Sequence, residues 1–454
     1  MATKAHLIMV PFPAQGHVIP LLHLAQKLAT RATITFLLNS DRLLRAADHL
    51  HSQIRLVPVA SDQTPPTPEN FLETLLRIIP ARVAGIIEEE IVNTSVRCVV
   101  VYDQAVAGIG EVAEKFGVAS AVFLPPAAAQ VVLALSIPKL VEDGVIDAQG
   151  APLTKNPVQL AAGVPAFSPS DFPWNRFKTP ARQRLIFAMT VQGLNSIKSS
   201  QWTLCNSVQA LEPGAFDFLR RRLSPAVKIA AAGPLIAAGS SRQLGHFQEP
   251  DAGSLDWLDQ HQHGRVVYAA FGSTGVLGGK AQLRELALGL ELTGKPFLWV
   301  VSGDGDGDGG SLYPEGFLDR VADRARIVRW APQQAVLRHT AVACFVSHCG
   351  WNSAVEGAAG GVPMVCCPQT ADQFMNQAYI CDTWRMGVRV FVEDEEDGIR
   401  SGVGVVGGEE IKDKIEEAIG LKERALEVKE MVWREHSCGD DDPYKEFVTW
   451  VVNG

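Results

Sequence analysis

Two titratable residues lie where predicted strands end. His17 closes the stretch Phe12-Pro-Ala-Gln-Gly-His17 between a predicted strand and a predicted helix, and Asp103 directly follows the apolar run 97–102. The positive end of a helix lowers the pKa of an imidazole and keeps it neutral, which suits a general base. A carboxylate at the mouth of the same parallel sheet can orient that imidazole and stabilise its cation. The alternatives are a capping or structural histidine and an N-cap for a helix over 105–116.

A second candidate site lies in the stretch Ser347-His-Cys-Gly-Trp-Asn-Ser-Ala-Val-Glu356, which follows an apolar run and is predicted to open a helix. Gly350 permits close approach of the backbone, and Asn352 and Ser353 offer donors beside the helix N-terminus, as in phosphate sites. Glu356 lies one turn further along, where a carboxylate can accept hydrogen bonds from a ribose diol. The spacing predicts a nucleotide lying along this helix; a capped helix with incidental polar residues is the alternative.

Three shorter motifs offer further groups at predicted strand ends. Trp330-Ala-Pro-Gln333 can stack a base on its indole, although a core tryptophan is the commoner case. Pro368-Gln-Thr-Ala-Asp-Gln373 places an acid beside an amide, which suits a ligand rich in hydroxyls such as a sugar; an N-cap for the next helix is the alternative. Phe271-Gly-Ser273 offers a second phosphate contact.

The elements that must position these residues form a repeated pattern. Strand-length apolar runs alternate with amphipathic helical stretches, and this happens twice along the chain. Continuous apolar strands alternating with helices form parallel sheets covered on both faces, so we expect an α/β protein with two Rossmann-like doubly wound domains facing across a cleft. The predicted division is an N-terminal domain (1–236), a linker without periodicity (237–253), a C-terminal domain (254–436) and a segment that packs back on the first domain (437–454).

The composition excludes several classes of protein. Of 454 residues, 47% are hydrophobic and 20% are charged, so the chain is not disordered as a whole. Lys and Arg total 41 against 50 Asp and Glu, and the net charge of −9 disfavours nucleic acids and anionic membranes as partners. The eight cysteines form no Cys-x-x-Cys pair, which favours buried, reduced thiols. With no secretory signal and no long apolar run, we expect a cytoplasmic protein.

The acidic stretch 303–310 reads Gly-Asp-Gly-Asp-Gly-Asp-Gly-Gly and satisfies two patterns at once. As a Gly-x-Gly-x-x-Gly loop it would bring three aspartates to a pyrophosphate, which they would repel. As a calcium loop it lacks the aliphatic residue at position eight, and Pro314 stands where the exit helix should begin. We interpret it as a flexible acidic surface loop and predict no metal site.

The motifs from Trp330 to Gln373 follow one known order: Trp-x-Pro-Gln, His-Cys-Gly-Trp-Asn-Ser, a glutamate, Gly-Val-Pro and Asp-Gln. This stretch resembles the signature box of plant family 1 UDP-sugar glycosyltransferases. Pro13-x-x-Gly-His17-x-x-Pro20 and Asn206-Ser207 with Leu211-Glu212 also fit, so the resemblance covers nearly the whole chain. It implies the two-domain GT-B fold and inversion at the anomeric carbon, with neither a metal ion nor a cofactor.

The resemblance also implies a role for each candidate residue. His17 would deprotonate the acceptor hydroxyl, and Asp103 would support it. The implied UDP-sugar contacts are to the base (Trp330, Ala331, Gln333), the ribose (Glu356), the diphosphate (Ser273, His348, Gly350, Asn352, Ser353) and the sugar (Trp351, Asp372, Gln373). The expected walls of the acceptor pocket are Gly16, Pro125, Trp174, Met189 and Phe374.

The predicted function is that of a UDP-glucose-dependent O-glucosyltransferase for a small lipophilic acceptor, such as a flavonoid or another phenolic of plant secondary metabolism. We expect a monomer whose partners are the UDP-sugar and the acceptor. C-glycosylation, a different UDP-sugar donor and a sugar-nucleotide epimerase on the same architecture are alternatives. A non-catalytic UDP-sugar-binding protein is another, and the intact His17 and Asp103 argue against it.

Overall fold

The computed structural model describes residues 5–38, 50–59, 74–93, 96–236, 251, 253–272, 279–301, 313–390, 405–435 and 443–453. Ser273 lies outside these residues, as do the acidic stretch 303–310 and positions 237–250 of the predicted linker.

The described strands form two parallel sheets and one short antiparallel pair. The first sheet has the order β3-β2-β1-β4-β5-β8-β9, and the second has the order β12-β11-β10-β13-β14-β15. The strands are β1 (Ala5–Val10), β2 (Thr33–Leu38), β3 (Ile54–Pro58), β4 (Arg97–Asp103), β5 (Ala119–Leu124), the antiparallel β6 (Val158–Gln159) and β7 (Ala166–Phe167), β8 (Trp202–Cys205), β9 (Lys228–Ala231), β10 (Val266–Ala270), β11 (Phe297–Val300), β12 (Ala325–Val328), β13 (Val342–Ser347), β14 (Met364–Cys366) and β15 (Gly387–Arg389).

Helices connect these strands. They are α1 (Gln15–Leu28), α2 (Ile79–Asn93), α3 (Ile109–Lys115), α4 (Ala129–Glu142), α5 (Pro180–Ser199), α6 (Pro213–Arg222), α7 (Ser254–Leu258), α8 (Lys280–Leu292), α9 (Phe317–Arg320), α10 (Gln333–Arg338), α11 (Trp351–Gly360), α12 (Gln373–Ala378), α13 (Gly408–Ile419), α14 (Lys422–Glu435) and α15 (Pro443–Asn453). Short 3₁₀ segments span Pro169–Asp171, Pro173–Arg176 and Gln209–Leu211, and π-helical segments span Thr74–Ile78 and Tyr379–Thr383.

The first sheet is buried on both faces, as its continuous apolar strands predict. The register places Met9 of β1 between Phe36 of β2 and Val101 of β4. All three lie in the core on one face of the sheet, where α1 and α15 cover it. The neighbouring Ile8 and Val100 point to the opposite core, under α4. Alternation between two apolar cores explains why these strands read as unbroken hydrophobic runs.

The second sheet follows the same rule. Val267 of β10 packs into a core closed by α8 and α13, whereas Tyr268 points to the other face. There Tyr268 stacks on Phe345 of β13 with ring centroids 5.0 Å apart. That core is continuous with the core under α4 of the first sheet, so apolar packing links the two halves. The prediction of two doubly wound α/β units facing across a cleft is confirmed.

The C-terminal helix α15 lies against the first sheet. Phe447 is fully buried there, and its ring centroid lies 5.6 Å from that of Trp202 on β8. Trp450 lies 6.1 Å from the same indole. The chain therefore returns from the second half to the first. The domain limits at 236 and 254 stay predictions, because the residues between them lie mostly outside the described set.

A buried carboxylate caps the N-terminal end of α4. Glu212 is fully buried and accepts hydrogen bonds from the backbone N–H groups of Ala128 at 2.9 Å and Ala129 at 3.0 Å. The Ser207 hydroxyl donates to it at 2.5 Å. Burial raises the pKa of Glu212 to about 7, although these three donors favour the charged form. Glu212 therefore titrates near neutral pH inside the first half.

Two predictions about the chain as a whole can be compared with the described residues. None of the described helices is both long and apolar enough to cross a membrane. The seven described cysteines are free thiols; four of them are buried, and three are partly buried.

Candidate active site

A cavity of about 790 Å³ lies at the carboxyl ends of the parallel strands of both sheets. From the first half it is lined by residues 12–17 after β1, Gln104 after β4 and Pro125 after β5. From the second half it is lined by Gly272 after β10 and His348 after β13. Doubly wound sheets bind their ligands at this end, because loops and helix N-termini converge there. The structure thus brings the His17 region and the predicted nucleotide site around Ser347–Glu356 to one cavity.

His17 and Asp103 form a pair at this cavity. His17 lies in the first turn of α1, and Asp103 is the last residue of β4. The distance between Nδ1 of His17 and Oδ2 of Asp103 is 2.7 Å, and Asp103 is fully buried. A carboxylate only accepts hydrogen bonds, so Nδ1 carries the proton and Nε2 presents its lone pair. This tautomer is the one that a general base requires.

The pKa of His17 is raised, so the expectation that the helix end lowers it is wrong. Burial lowers the pKa, but the charge of Asp103, its hydrogen bond and the charge of Asp372 together outweigh burial. The carboxylate at 2.7 Å is the main group that opposes the effect of burial.

The alternative role of Asp103 as an N-cap is also excluded. Its Oδ1 accepts a hydrogen bond from the backbone N–H of Ala105 at 2.9 Å. The helix that follows is α3, which begins only at Ile109, after Gly108 with a left-handed φ of 79°. The predicted helix over 105–116 is therefore too long at its start, and Asp103 stabilises a turn that holds its own carboxylate in place.

The predicted ribose carboxylate sits in a network of amides. Glu356, one turn inside α11, accepts hydrogen bonds from Nε2 of Gln333 at 2.7 Å and Nε2 of Gln334 at 2.9 Å. Nε2 of Gln333 also lies 2.9 Å from Oγ of Ser353. Burial raises the pKa of Glu356, although the two glutamine donors and the more distant Arg338 favour its charged form. The network holds this carboxylate at the cavity wall, where it can accept hydrogen bonds.

His348 is held between two glycines. A Cβ on Gly272 would lie 2.7 Å from its Nε2, and a Cβ on Gly350 would lie 2.5 Å from the same atom. Gly272 also has a left-handed φ of 72°. Burial lowers the pKa of His348 to about 4, although a hydrogen bond to the backbone of Ala270 acts in the opposite direction. A neutral imidazole carries a single N–H, so donation to a ligand in the cavity competes with donation to the backbone oxygen of Ala270.

Trp351 and Asn352 reach across to the first half. The indole N–H of Trp351 donates to the backbone oxygen of Asn206 at 2.7 Å, and its ring packs beside Trp384 with centroids 5.9 Å apart. That N–H is therefore engaged within the protein, and the contact of Trp351 with the sugar stays a prediction. Asn352 donates to the backbone oxygen of Gly16 at 2.7 Å.

The two residues predicted to read the sugar have different positions. Asp372 lines the cavity and accepts a hydrogen bond from Asn376 at 3.1 Å. Burial raises its pKa, although Asn376 and the charge of His17 favour the carboxylate. Gln373 is buried, and its Oε1 accepts hydrogen bonds from the backbone N–H groups of Gln369 and Thr370. Its side-chain oxygen stabilises the preceding turn, and Gln373 is not among the described lining residues.

Most of the predicted donor residues line the cavity. They are Trp330, Ala331, Gln333, His348, Gly350, Trp351, Asn352, Ser353, Glu356 and Asp372. Sequence reasoning missed Tyr268 and Gln334, which line the same wall as Gly272 of the predicted Phe271-Gly-Ser273 motif. Tyr268 donates to Oε1 of Gln333 at 3.2 Å, from a strand that reads in the sequence as a continuous apolar run.

Two of the five residues that were expected to line the acceptor pocket lie outside the cavity lining. Gly16, Pro125 and Met189 line the cavity. Trp174 is fully buried behind the lining, and its indole N–H donates to the backbone oxygen of Gly150 at 2.7 Å. Phe374 lies under the guanidinium of Arg176, 3.8 Å from its ring centroid, and is not among the lining residues. The apolar wall of the first half is instead formed by Phe12, Ile19, Ala134, Phe177, Ile186, Leu194 and Ile197.

The cavity contains few positive charges. Among its described lining residues, Arg182 is the single lysine or arginine. The described part of the chain also contains no group of three or more His, Cys, Asp or Glu side chains able to hold a metal ion. Neutral donors and the N-terminal end of α11 on the described wall can bind an anionic ligand.

Comparison with known proteins defines the class. Residues 254–406 match the family model described as UDP-glucoronosyl and UDP-glucosyl transferase. UDP-glycosyltransferase 83A1 of Arabidopsis thaliana is 40% identical over 99% of this chain and 97% of its own length. UDP-glycosyltransferase 82A1 of the same plant is 32% identical over 87% of this chain and 90% of its own length. The chain belongs to the plant family 1 UDP-glycosyltransferases and is a glycosyl-transferring enzyme.

Solved structures give the same fold. A UDP-glucosyltransferase from Polygonum tinctorium matches with a TM-score of 0.80 and 26% identity, covering 99% of this chain and 98% of that one. Phytolacca americana UGT2, complexed with UDP-2fluoro-glucose and pterostilbene, matches with a TM-score of 0.81 and 24% identity, covering 98% of each chain. The two doubly wound halves are those of the GT-B fold.

Proposed function

We propose that this enzyme transfers glucose from UDP-glucose to a hydroxyl oxygen of a small lipophilic acceptor, a flavonoid or another phenolic, with inversion at the anomeric carbon and without a metal ion. The observation that carries this proposal is the His17–Asp103 pair at a cavity shared by both halves. The same cavity is lined by His348, which precedes α11, and by Asn352 and Ser353 in the first turn of α11.

The donor occupies the wall of the second half. Trp330 stacks on the uracil, beside Ala331 and Gln333, and Glu356 accepts hydrogen bonds from the ribose. His348, Asn352, Ser353 and the start of α11 at Gly350 bind the diphosphate. Asp372 and the backbone of Trp351 face the glucose, and Gln373 supports the turn beside them. Neutral donors and the helix dipole take the place of a metal ion at the leaving group.

The chemical step is one displacement. Nε2 of His17 takes the proton of the acceptor hydroxyl while its oxygen forms a bond to the anomeric carbon, and the bond from that carbon to UDP breaks. UDP leaves with the bonding electron pair. Asp103 stabilises the imidazolium that forms, and its hydrogen bond keeps the proton on Nδ1 before the reaction.

The acceptor lies against the apolar wall of the first half. Its described lining is mostly aliphatic and aromatic, and its polar groups beside His17 are Gln15, Gln104, Gln130, Arg182 and Thr190. Such a surface suits a flat, mostly apolar molecule with a few hydroxyls. The Polygonum tinctorium relative glucosylates indoxyl, and the Phytolacca americana structure holds pterostilbene, which supports an aromatic acceptor here. The monomeric state and the cytoplasmic location stay predictions.

Mass spectrometry of reactions with UDP-glucose and a panel of phenolic acceptors tests this function. We expect a glucosylated product that acid hydrolyses, and His17→Ala should retain less than about 1% of the turnover. His339→Ala is the control, because His339 forms a similar pair with Asp259 at 3.0 Å outside the cavity lining. An acid-stable product would indicate C-glycosylation, and full turnover by His17→Ala would refute the assignment of the base.

A further inference from the structure

A chain of hydrogen bonds crosses the cleft beside His17. Asn206 follows β8 of the first half and is 3% exposed. Its Nδ2 donates to Oδ1 of Asn352 at 2.9 Å, and Nδ2 of Asn352 donates to the backbone oxygen of Gly16 at 2.7 Å. The backbone oxygen of Asn206 accepts the indole N–H of Trp351 at 2.7 Å. Asn206 thus contacts two successive residues at the start of α11.

These contacts determine which way the Asn352 amide points. An amide side chain can rotate by half a turn and exchange its oxygen for its nitrogen at little cost unless its neighbours distinguish them. Asn206 distinguishes them, because its donor faces Oδ1 of Asn352 and leaves Nδ2 to face Gly16. Asn206 is itself oriented, since its Nδ2 also lies 3.3 Å from the backbone oxygen of Pro125.

The orientation of the Asn352 amide affects contacts on both sides of the cavity. Nδ2 of Asn352 carries two hydrogens, and one of them is used on the oxygen of Gly16. The second remains for an acceptor oxygen in the cavity that Asn352 lines. Gly16 is directly followed by His17, so the same bond ties the turn that carries the base to the helix that begins the donor site.

We propose that Asn206 is a positioning residue for glycosyl transfer: through its hydrogen bond to Asn352 it aims that amide at the diphosphate and holds the His17 turn against α11. The proposal rests on the proposed role of Asn352 at the diphosphate. Asn206 itself touches neither substrate in this arrangement. It acts across the cleft, from the half that does not bind the donor.

A double-mutant cycle separates this role from simple packing. Asn206→Ala, Asn352→Ala and the double variant are compared by calorimetry with UDP, and by kcat and KM with UDP-glucose. Each single variant should weaken UDP binding by about tenfold, the loss expected for one hydrogen bond to a charged group. The double variant should be no weaker than Asn352→Ala, because Asn206 then has no amide to orient. In Asn206→Ala, kcat should fall in addition, because the turn of His17 is released.

Asn206→Asp preserves the shape of the side chain and removes the donor. Its carboxylate would pull Nδ2 of Asn352 toward itself and turn Oδ1 onto the oxygen of Gly16, so we expect weaker UDP binding than in Asn206→Ala. Asn175→Ala is the matched control, because Asn175 donates to the backbone oxygens of Pro169 and Gly150 in the first half, at 2.9 and 3.1 Å. It should lower the melting temperature and leave UDP affinity within about twofold.

Two results would overturn the proposal. One is independent, multiplicative losses of UDP affinity in the double variant; the other is an Asn206→Ala protein with wild-type affinity and kcat. Binding of UDP requires no acceptor, so the outcome does not depend on which acceptor the enzyme uses. If the UDP affinities are coupled while no phenolic acceptor is glucosylated, the proposed function fails and the role of Asn206 stands.

Discussion

Replacing Asp103 with asparagine tests the role of the buried pair directly. The carboxylate divides its two oxygens between two donors: Oδ2 accepts from Nδ1 of His17 at 2.7 Å, and Oδ1 accepts from the N–H of Ala105 at 2.9 Å. Asparagine has only one oxygen. If it serves Ala105, its NH₂ group faces Nδ1 and forces the imidazole proton onto Nε2, where no proton can be accepted. If it serves His17, a backbone N–H loses its partner.

The magnitude follows from these two outcomes. With the wrong tautomer, the enzyme loses general-base catalysis, which contributes about 10²- to 10⁴-fold. With the other orientation, an unsatisfied buried N–H costs about 1–3 kcal/mol of stability. In either case the charge that raises the pKa of His17 is gone. Burial, the largest influence, is then opposed only by the charge of Asp372 and, in the second orientation, by one neutral hydrogen bond, so the pKa should fall.

The assay is the pH dependence of kcat/KM for release of UDP, with the best acceptor of the panel. A general base must be neutral, so the acid limb of the profile follows the pKa of His17 in the free enzyme. In the wild type this limb should lie above pH 6.5, because the pKa is raised, and activity is lost as the pH falls through it. In Asp103→Asn the plateau should drop and the limb should move to lower pH.

Asp259→Asn is the control for this prediction. Asp259 pairs with Nε2 of His339 at 3.0 Å, but its side chain is 74% exposed and neither residue lines the cavity. The control should keep the wild-type profile. An Asp103→Asn protein that retains kcat/KM within about threefold, or whose acid limb does not move, would show that the pair is not part of the catalytic step.

Three further predictions concern stability and binding. In the wild type, the unfolding free energy should fall by about 3 kcal/mol between pH 4.5 and 7, because the folded carboxyl of Glu212 keeps a proton up to about pH 7 that the unfolded one loses near 4.5. Glu212→Gln should abolish this fall. Denaturant titrations at several pH values measure it, and an unchanged dependence of the unfolding free energy on pH would contradict the prediction. Gly350→Ala should weaken UDP binding about tenfold by calorimetry, since its Cβ would lie 2.5 Å from Nε2 of His348; wild-type affinity would argue against a diphosphate contact there. Phe447→Ala should lower the unfolding free energy by about 3–5 kcal/mol, because this ring is fully buried against Trp202; a loss below about 1 kcal/mol would show that α15 does not pack on the first sheet in solution.

Local pattern was sufficient for the elements that carry the site. The apolar run 97–102 is β4 apart from its last residue, and the run before Ser347 is β13. The helix expected after Gly350 begins there, at Trp351. These predictions depend on side chains within a few positions of one another, which alternate or repeat in a way that the sequence displays directly.

The errors concern contacts between distant parts of the chain. Trp174 was expected at the acceptor wall and is buried behind it, and Phe374 was expected there and stacks with Arg176 instead. The bond from the indole N–H of Trp351 to Asn206, 145 residues away, was not predicted either. A local sequence pattern does not predict which aromatic side chains line a cavity, because that depends on how the elements pack in three dimensions.

The sequence by itself determined the class of this protein, because the residues from Trp330 to Gln373 follow the order and spacing of one family's signature box. The tertiary structure alone decided the state of the base. His17 and Asp103 are 86 residues apart in the chain and 2.7 Å apart in space. The sign of the pKa shift at His17 depends on that distance and on burial, since electrostatic energy follows separation in space and the local dielectric.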